Sequence, residues 1–536
     1  MRGPKRFTFF WTRSRAAPQN IRAEIAGSLV RTFFFLVLFA AILLAGSFFM
    51  KLRAQSAQSG ASAQNLEGTW SGALGAGTNK LHIILTIAKS SDGYVGSLNS
   101  VDQNAVIPMA NISLDGSKVH FELKPVGGVY DGTLSADGKS IAGTWVQSGV
   151  PPQPLSFDRG AASEPESTAT PPGPDKMPLP PDIDVTIPIA PTAFVGDGKW
   201  HLVYELHVTN LDDWDCRLTR LGVLPAAVPV GPAQKPLAVF DAAYLNMMAR
   251  QPAGPNTSQP TKLAPDRFAI VFVWVTLDRR EDVPASITQR ISMRVGTYPE
   301  ELTIETAATP VDLKPVAVIS PPLTGDNWLA ANGPSNTSPH RRAFISVDGR
   351  GTIGQRFAID WLELYPDGKS FQGDPKDNKS YRAYGAEIRA VADGVVTEVK
   401  DGIPQNVPGA TSRAVPITLE TIAGNHVILQ IGDGLYAAYA HMQPGSIRVK
   451  LGEKVRRGEV LGLLGNSGNS TEPHLHFQIC NANSVLACEG LPYAIASFEV
   501  QGKGFGWKSS ESKDAPVKRE RELPLEGDVV RFTPQD

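Results

Sequence analysis

The chain is poor in cysteine. Cys216, Cys480 and Cys488 are the three among 536 residues, too few and too widely spaced for a cysteine-based zinc knuckle. It has no excess of either charge. Lys and Arg number 51 against 53 Asp and Glu, a net charge of −2, so the basic field of a nucleic-acid binder is missing. Helical periodicity is scarce, while Gly (50) and Pro (43) are plentiful; β structure should dominate.

One long apolar run is present, Thr32 to Met50 (TFFFLVLFAAILLAGSFFM). About 20 apolar residues cross a bilayer. Arg2, Lys5, Arg6, Arg13, Arg15, Arg22 and Arg31 precede it against one acid, Glu24, which keeps that end cytoplasmic and sends the rest outward. Residues 1–31 thus read as a basic cytoplasmic segment, and 32–50 as a transmembrane anchor or a signal segment. Ala61-Ser62-Ala63 has the small-x-small form of a cleavage site, so the alternative is secretion after cleavage. An exported chain permits a disulfide. Cys480 and Cys488 either close a short loop or stay as two thiols, and Cys216 is left over and buried.

Residues 66–159 read as short strands with turns at Asp115-Gly116 and Asp137-Gly138. In Lys118–Leu123, Val119, Phe121 and Leu123 point inward. Gly68-Thr69-Trp70 recurs as Gly143-Thr144-Trp145, and a small antiparallel barrel or sandwich with the two copies on neighbouring strands is expected. Its His82 and His120 read as solvent-facing or satisfied. Residues 160–181 are a proline-rich linker. Residues 182–321 are β-rich again and pattern as an immunoglobulin-like sandwich. Within Trp200–Val208, Leu202, Tyr204, Leu206 and Val208 share one face; His201, Glu205 and His207 share the other, expected to be solvated. Residues 322–498 form a last domain of short strands between glycine turns, and 499–536 a polar tail with a strand at Asp528–Phe532.

The chemistry gathers in that last domain: Asp360, His441, His474 and His476. His474 and His476, at i and i+2 on a strand, face one side, with Leu475 and Phe477 toward the core. Imidazole and carboxylate are natural zinc ligands, and a catalytic site keeps three of them. His426, on the strand GNHVILQI, reads as surface or at most a groove contact.

From about residue 384 to 479 the chain resembles the M23 (lysostaphin/LytM-type) zinc endopeptidases. The resemblance runs through Tyr384-Gly385-Ala386, Ala390–Val396, Tyr439-Ala440-His441-Met442, Val455–Gly462, Gly465–Ser470 and Pro473–Phe477. It implies a small, mainly antiparallel β peptidase domain with the site in an open groove. It also implies Zn2+ as cofactor, with His476 and Asp360 as ligands and His474 and His441 as the unligated pair, one a base and the other steadying the oxyanion. The family usually has a histidine four residues before the aspartate. Here that position is Arg356, which cannot bind zinc. His340, in Ser338-Pro339-His340-Arg341-Arg342, is the best substitute; otherwise it is an exposed loop histidine.

The implied function is a membrane-anchored zinc endopeptidase on a bacterial inner membrane, its C-terminal part extracytoplasmic, cutting peptide cross-links of peptidoglycan. The competing reading is a degenerate domain that binds wall or regulates another hydrolase through an envelope protein partner. Loops 365–382 and 402–416 would line the groove and set the bond cut.

Overall fold

The computed structural model describes residues 65–533, apart from 76–80, 91–92, 101–104, 148–149, 161–179, 227–234, 253–258, 410, 412, 505 and 514. The apolar run 32–50, the segment before it and nearly all of the linker lie outside the described residues. Among those described, no helix is long and apolar enough to cross a membrane. Ala63–Gln147 and Pro152–Asp536 form one compact unit. It is built of strands, with one α-helix, Ala242–Met248, among the described residues.

Eight strands between Gly68 and Arg159 close into a barrel, the first (Gly68–Leu74) pairing with both the second (Leu81–Ser90) and the last (Val150–Arg159). Alternation turns Val119, Phe121 and Leu123 into its core. Phe121 stacks on Tyr130 at 4.8 Å and Tyr130 meets Phe157 edge-on at 5.5 Å, so side chains fill the interior. The repeated Gly-Thr-Trp segments are not neighbours: the strand Val150–Arg159 lies between them. Trp70 and Trp145 nonetheless enter the same core, which any inward-pointing position of a closed barrel can reach. His120 is satisfied by Asp131 at 2.7 Å.

Residues 183–310 form two sheets, one built on Lys199–Asn210 and Phe268–Leu277, the other on Cys216–Pro225 and Ser286–Val295. Leu202, Tyr204, Leu206 and Val208 enter the core between them, as does Cys216, whose thiol burial pushes up to about 12. The opposite face of that strand is not solvated. Phe194 and Val203 join the core of the following domain, and His201 and Glu205 are 4% and 3% exposed. His207 is half-buried between the rings of Phe268 and Phe344. Alternation fixes which residues share a face; it does not say what covers that face.

The last domain is built on one large sheet, with two two-stranded sheets beside it, Ile345–Val347 with Arg350–Thr352 and Glu387–Arg389 with Val460–Leu463. The central order of the large sheet is Tyr493–Lys503, Asp528–Phe532, Gly325–Ala331, Ile359–Glu363, Leu475–Cys480, Leu435–Met442, Asn425–Gly432 and Gly394–Lys400. The segment beyond Glu499 is therefore no free tail: Asp528–Phe532 is inserted between two strands of the sheet, and Val517–Glu522 pairs with Tyr493–Lys503. Register builds the site. Asp360 lies opposite His476 and Ala331, and His476 opposite Ala440. Ile359, Trp361, Leu475, Phe477 and Tyr439 take the buried face. Burying each such side chain contributes roughly 1.5–3 kcal/mol, which pins the polar partners to the other face.

Candidate metal centre

Three side chains from two strands and one loop converge. His340, Asp360 and His476 each offer one ligand atom, all within 4.8 Å of one another. Asp360 and His476 meet across their strands, Nδ1 to Oδ1 at 2.9 Å. His340 arrives from the loop after Gly325–Ala331, its Nε2 3.4 Å from Asp360 Oδ2. The substitute that chain position alone left open is thus brought to the aspartate.

The hydrogen-bond partners decide which nitrogens are free. Gln478 Nε2 donates to the carbonyls of Val485 (2.9 Å) and Gly354 (3.2 Å), so its Oε1 must accept. It accepts from His476 Nε2 at 2.8 Å. That leaves the Nδ1 lone pair of a neutral His476 aimed at a carboxylate oxygen. His340 repeats the pattern: Nδ1 donates to Asn332 O at 3.0 Å, leaving Nε2 facing Asp360. Two lone pairs and a carboxylate pointing at one another repel unless a cation stands between them. Two imidazoles and one carboxylate are a donor set that suits zinc, with a coordination position to spare, and outer partners such as Gln478 and Asn332 orient such ligands.

The charges agree. Burial pushes Asp360 up, yet His340, then His474 by its charge and its hydrogen bond, hold its carboxyl well below the usual range. Burial holds His340 down at about 4, with His476 and His474 adding to it against the pull of Asp360.

His441 and His474 flank the trio, their rings 4.8 Å apart. Each donates its Nδ1 proton to a backbone carbonyl, His441 to Ser467 and His474 to Glu472, both at 2.8 Å. Both Nε2 atoms are therefore kept for the site; that of His474 lies 3.3 Å from Asp360. His441, next to last in its strand, has φ 64°, a left-handed conformation that costs of order 1–3 kcal/mol and persists only where its surroundings impose it. Here its N–H bonds Ala423 O at 2.9 Å and its ring bonds Ser467. Burial, with His474 and His476 nearby, drives His441 well below its ordinary value; burial also lowers His474, but Asp360 overrides this and raises it.

Arg356 takes no part in the trio. Its guanidinium is bonded to both oxygens of Glu205 (3.2 and 3.0 Å), to Glu489 at 2.7 Å and to Gly490 O at 3.0 Å. His426 is not on the surface but 5% exposed, bonded to Gly424 O and Glu398; its strand is interior to the sheet. Cys480 and Cys488 form a disulfide, closing the loop that carries Glu489's neighbours and the carbonyl of Val485. Two site residues escape a sequence reading. Gln478 is signalled only by its place two residues beyond His476 on the same face. Asn332, whose Nδ2 also donates to Asp360 Oδ2 at 2.8 Å, has no local signal at all.

Residues 380–487 match the model of peptidase family M23. The chain is 46% identical over 57 residues to the peptidoglycan DD-endopeptidase ShyA of Vibrio cholerae, covering 11% of this chain and 13% of that one. It is 26% identical over 184 residues to the glycyl-glycine endopeptidase ALE-1 of Staphylococcus capitis (32% and 43%) and 31% identical over 188 residues to the DD-endopeptidase ShyB of Vibrio cholerae (34% and 43%). The chain spans less than half the length of each of these relatives. Residues 380–487 of this chain are a domain of peptidase family M23.

Proposed function

We propose that the protein is a zinc metalloendopeptidase acting on the peptide cross-links of peptidoglycan. The observation that carries this is the convergence of His340, Asp360 and His476, with His441 and His474 beside them. His340 through Nε2, His476 through Nδ1 and the Asp360 carboxylate would hold the metal. A zinc ion bound there would supply an acidified water and polarise the scissile carbonyl. The protein's own residues do the rest. His441 and His474, their Nδ1 protons tied to carbonyls, present two Nε2 atoms to the reacting groups. Between them they provide one proton acceptor and one donor to the developing oxyanion. Names of the relatives support peptidoglycan as the substrate class. The run 32–50 supports membrane anchoring with the peptidase domain on the extracytoplasmic side, and the Cys480–Cys488 disulfide suits that oxidising side. In chain order the β-sandwich, immunoglobulin-like in its strand patterning, follows the barrel and precedes the peptidase domain.

Arg356 favours one competing reading, a domain that binds wall or regulates another hydrolase without cutting. Full-length protein purified under native conditions should carry about one zinc, removed by His476→Ala. It should release new peptide ends from isolated cell wall, and His441→Ala should stop the release with zinc retained. A wild-type protein without zinc sinks the proposal; zinc without new ends favours the regulator.

A further inference from the structure

The metal centre does not belong to the peptidase domain alone. The loop that delivers His340 lies across the outer face of the sandwich strands Lys199–Asn210 and Phe268–Leu277. Arg341, the next residue, is fully buried. Its Nη2 donates to Tyr204 O and Val273 O, both at 3.0 Å, and its Nε to Asn336 Oδ1 at 3.1 Å. Its Nη1 lies 2.9 Å from Glu205 Oε1, an ion pair without hydrogen-bond alignment. Asn336 in turn donates to Phe272 O at 3.0 Å, and Arg342 reaches Met247 O and packs over the Phe272 ring at 5.1 Å. Every one of these sandwich partners lies more than sixty residues away in sequence, and each anchors a residue within four positions of His340.

Glu205 ties this loop to the other anomaly of the site. The same carboxylate pairs with Arg356, which occupies the position where the family has its ligand. We infer that Glu205 of the sandwich domain is a positioning residue for the metal: it holds Arg356 away from the site and Arg341 in place, so that the neighbouring His340 serves as third ligand. The centre is then assembled from two domains, and the sandwich is a structural part of it rather than a spacer. The inference rests on His340 being a ligand, as proposed above.

A cycle of zinc affinities tests it, measured by competition with a chromophoric chelator on full-length wild type, Glu205→Gln, His340→Ala and the double variant. Disturbing an outer partner of a metal ligand costs about 10–100-fold in affinity. That loss is expected for Glu205→Gln when His340 is present, and less than about twofold when His340 is already alanine, because nothing is left for Glu205 to position. Co2+ in place of zinc should show the ligand-field band of Glu205→Gln moving toward that of His340→Ala. Equal losses in both backgrounds, no loss, or an unmoved band overturns the inference. If His340→Ala alone leaves zinc affinity unchanged, the ligand assignment itself falls, a result that separates the two failures. Should Glu205→Gln not fold, Glu205→Gln with Arg341→Gln removes one charge of each sign, and the same cycle is run with that pair.

Discussion

Replacing Arg356 by leucine is the most revealing perturbation of stability. Arg356 is 4% exposed and its partners Glu205 and Glu489 are 3% and 5% exposed. The substitution leaves Glu205 with Arg341, but strands Glu489 and the Gly490 carbonyl. Removing one partner of a buried ion pair costs about 3–5 kcal/mol, because a buried charge is left uncompensated. Against a typical stability of about 5–15 kcal/mol, that is a large fraction. Pairing Arg356→Leu with Glu489→Leu removes the stranded charge, and apolar replacement of a buried pair is often neutral or better; most of the loss should return. Native-state hydrogen exchange at the strands Ile359–Glu363 and Leu475–Cys480 reads the domain directly. A loss below about 1 kcal/mol for the single variant, or no recovery in the double, refutes the assignment of Arg356 as a paired interior charge.

The pH dependence has a definite sign. Burial pushes the Glu205 carboxyl up, but Arg356 and then Arg341 bring it below its ordinary value of 4.5. A folded-state value below the unfolded one gives stability that is complete above about pH 4.5 and is lost as pH falls through the folded value. Arg356→Leu removes the larger of the two attractions. The gap in stability between wild type and variant should therefore be widest near neutrality and shrink on acidification below about pH 4. A gap that widens in acid contradicts this.

Other outcomes follow from the same contacts. Gln478→Leu removes the acceptor that fixes the His476 tautomer and should weaken zinc binding about 10–100-fold, measured by chelator competition; unchanged affinity would show that Gln478 does not orient the ring. Phe477→Ala opens a void among Tyr439 and Tyr493, whose rings lie 5.2 and 5.5 Å away, and should cost about 3–5 kcal/mol in hydrogen-exchange stability. Cys480→Ser with Cys488→Ser frees a loop spanning eight positions and should cost about 2–3 kcal/mol, read in the same way, with local exchange first appearing around Glu489.

The site was legible where it depends on strand periodicity. Two histidines at i and i+2, with Leu475 and Phe477 between and after them, specify one polar and one apolar face, and the sheet uses both as specified. Asp360 was nominated as a ligand by the resemblance to the M23 family rather than by periodicity, and the register of its short strand sets it opposite His476. His340 could be nominated only by elimination, since a loop has no period that aims a side chain. Glu205 was misplaced for the same kind of reason. Its strand alternates cleanly, but a charged face and a covered face look alike when the covering residues, Arg341 and Arg356, lie more than 130 residues away. Asp528–Phe532 was visible as a strand, whereas its insertion between Gly325–Ala331 and Tyr493–Lys503 is a long-range pairing that no local pattern encodes.

The buried charges around Glu205 make little sense as a device for stability. Four ionic groups, Glu205, Arg341, Arg356 and Glu489, are withdrawn from water together, and such arrangements roughly break even against well-packed apolar residues. They do make sense as a device for placement. A ligand four residues before Asp360 would share the rigidity of the sheet. A ligand in the segment 332–344 starts without it, and fixing each of those residues costs about 1–2 kcal/mol of backbone entropy. A guanidinium offers directional donors in a rigid plane, so Arg341 fixes both the position and the orientation of the chain beside His340. Arg356, at the vacated position, supplies the second cation that keeps the Glu205 carboxylate ionised in the interior. On the inference drawn above, the loss of the usual ligand and the gain of His340 are one coupled exchange: each requires the carboxylate of Glu205, and neither position reverts to the family pattern without disturbing the other.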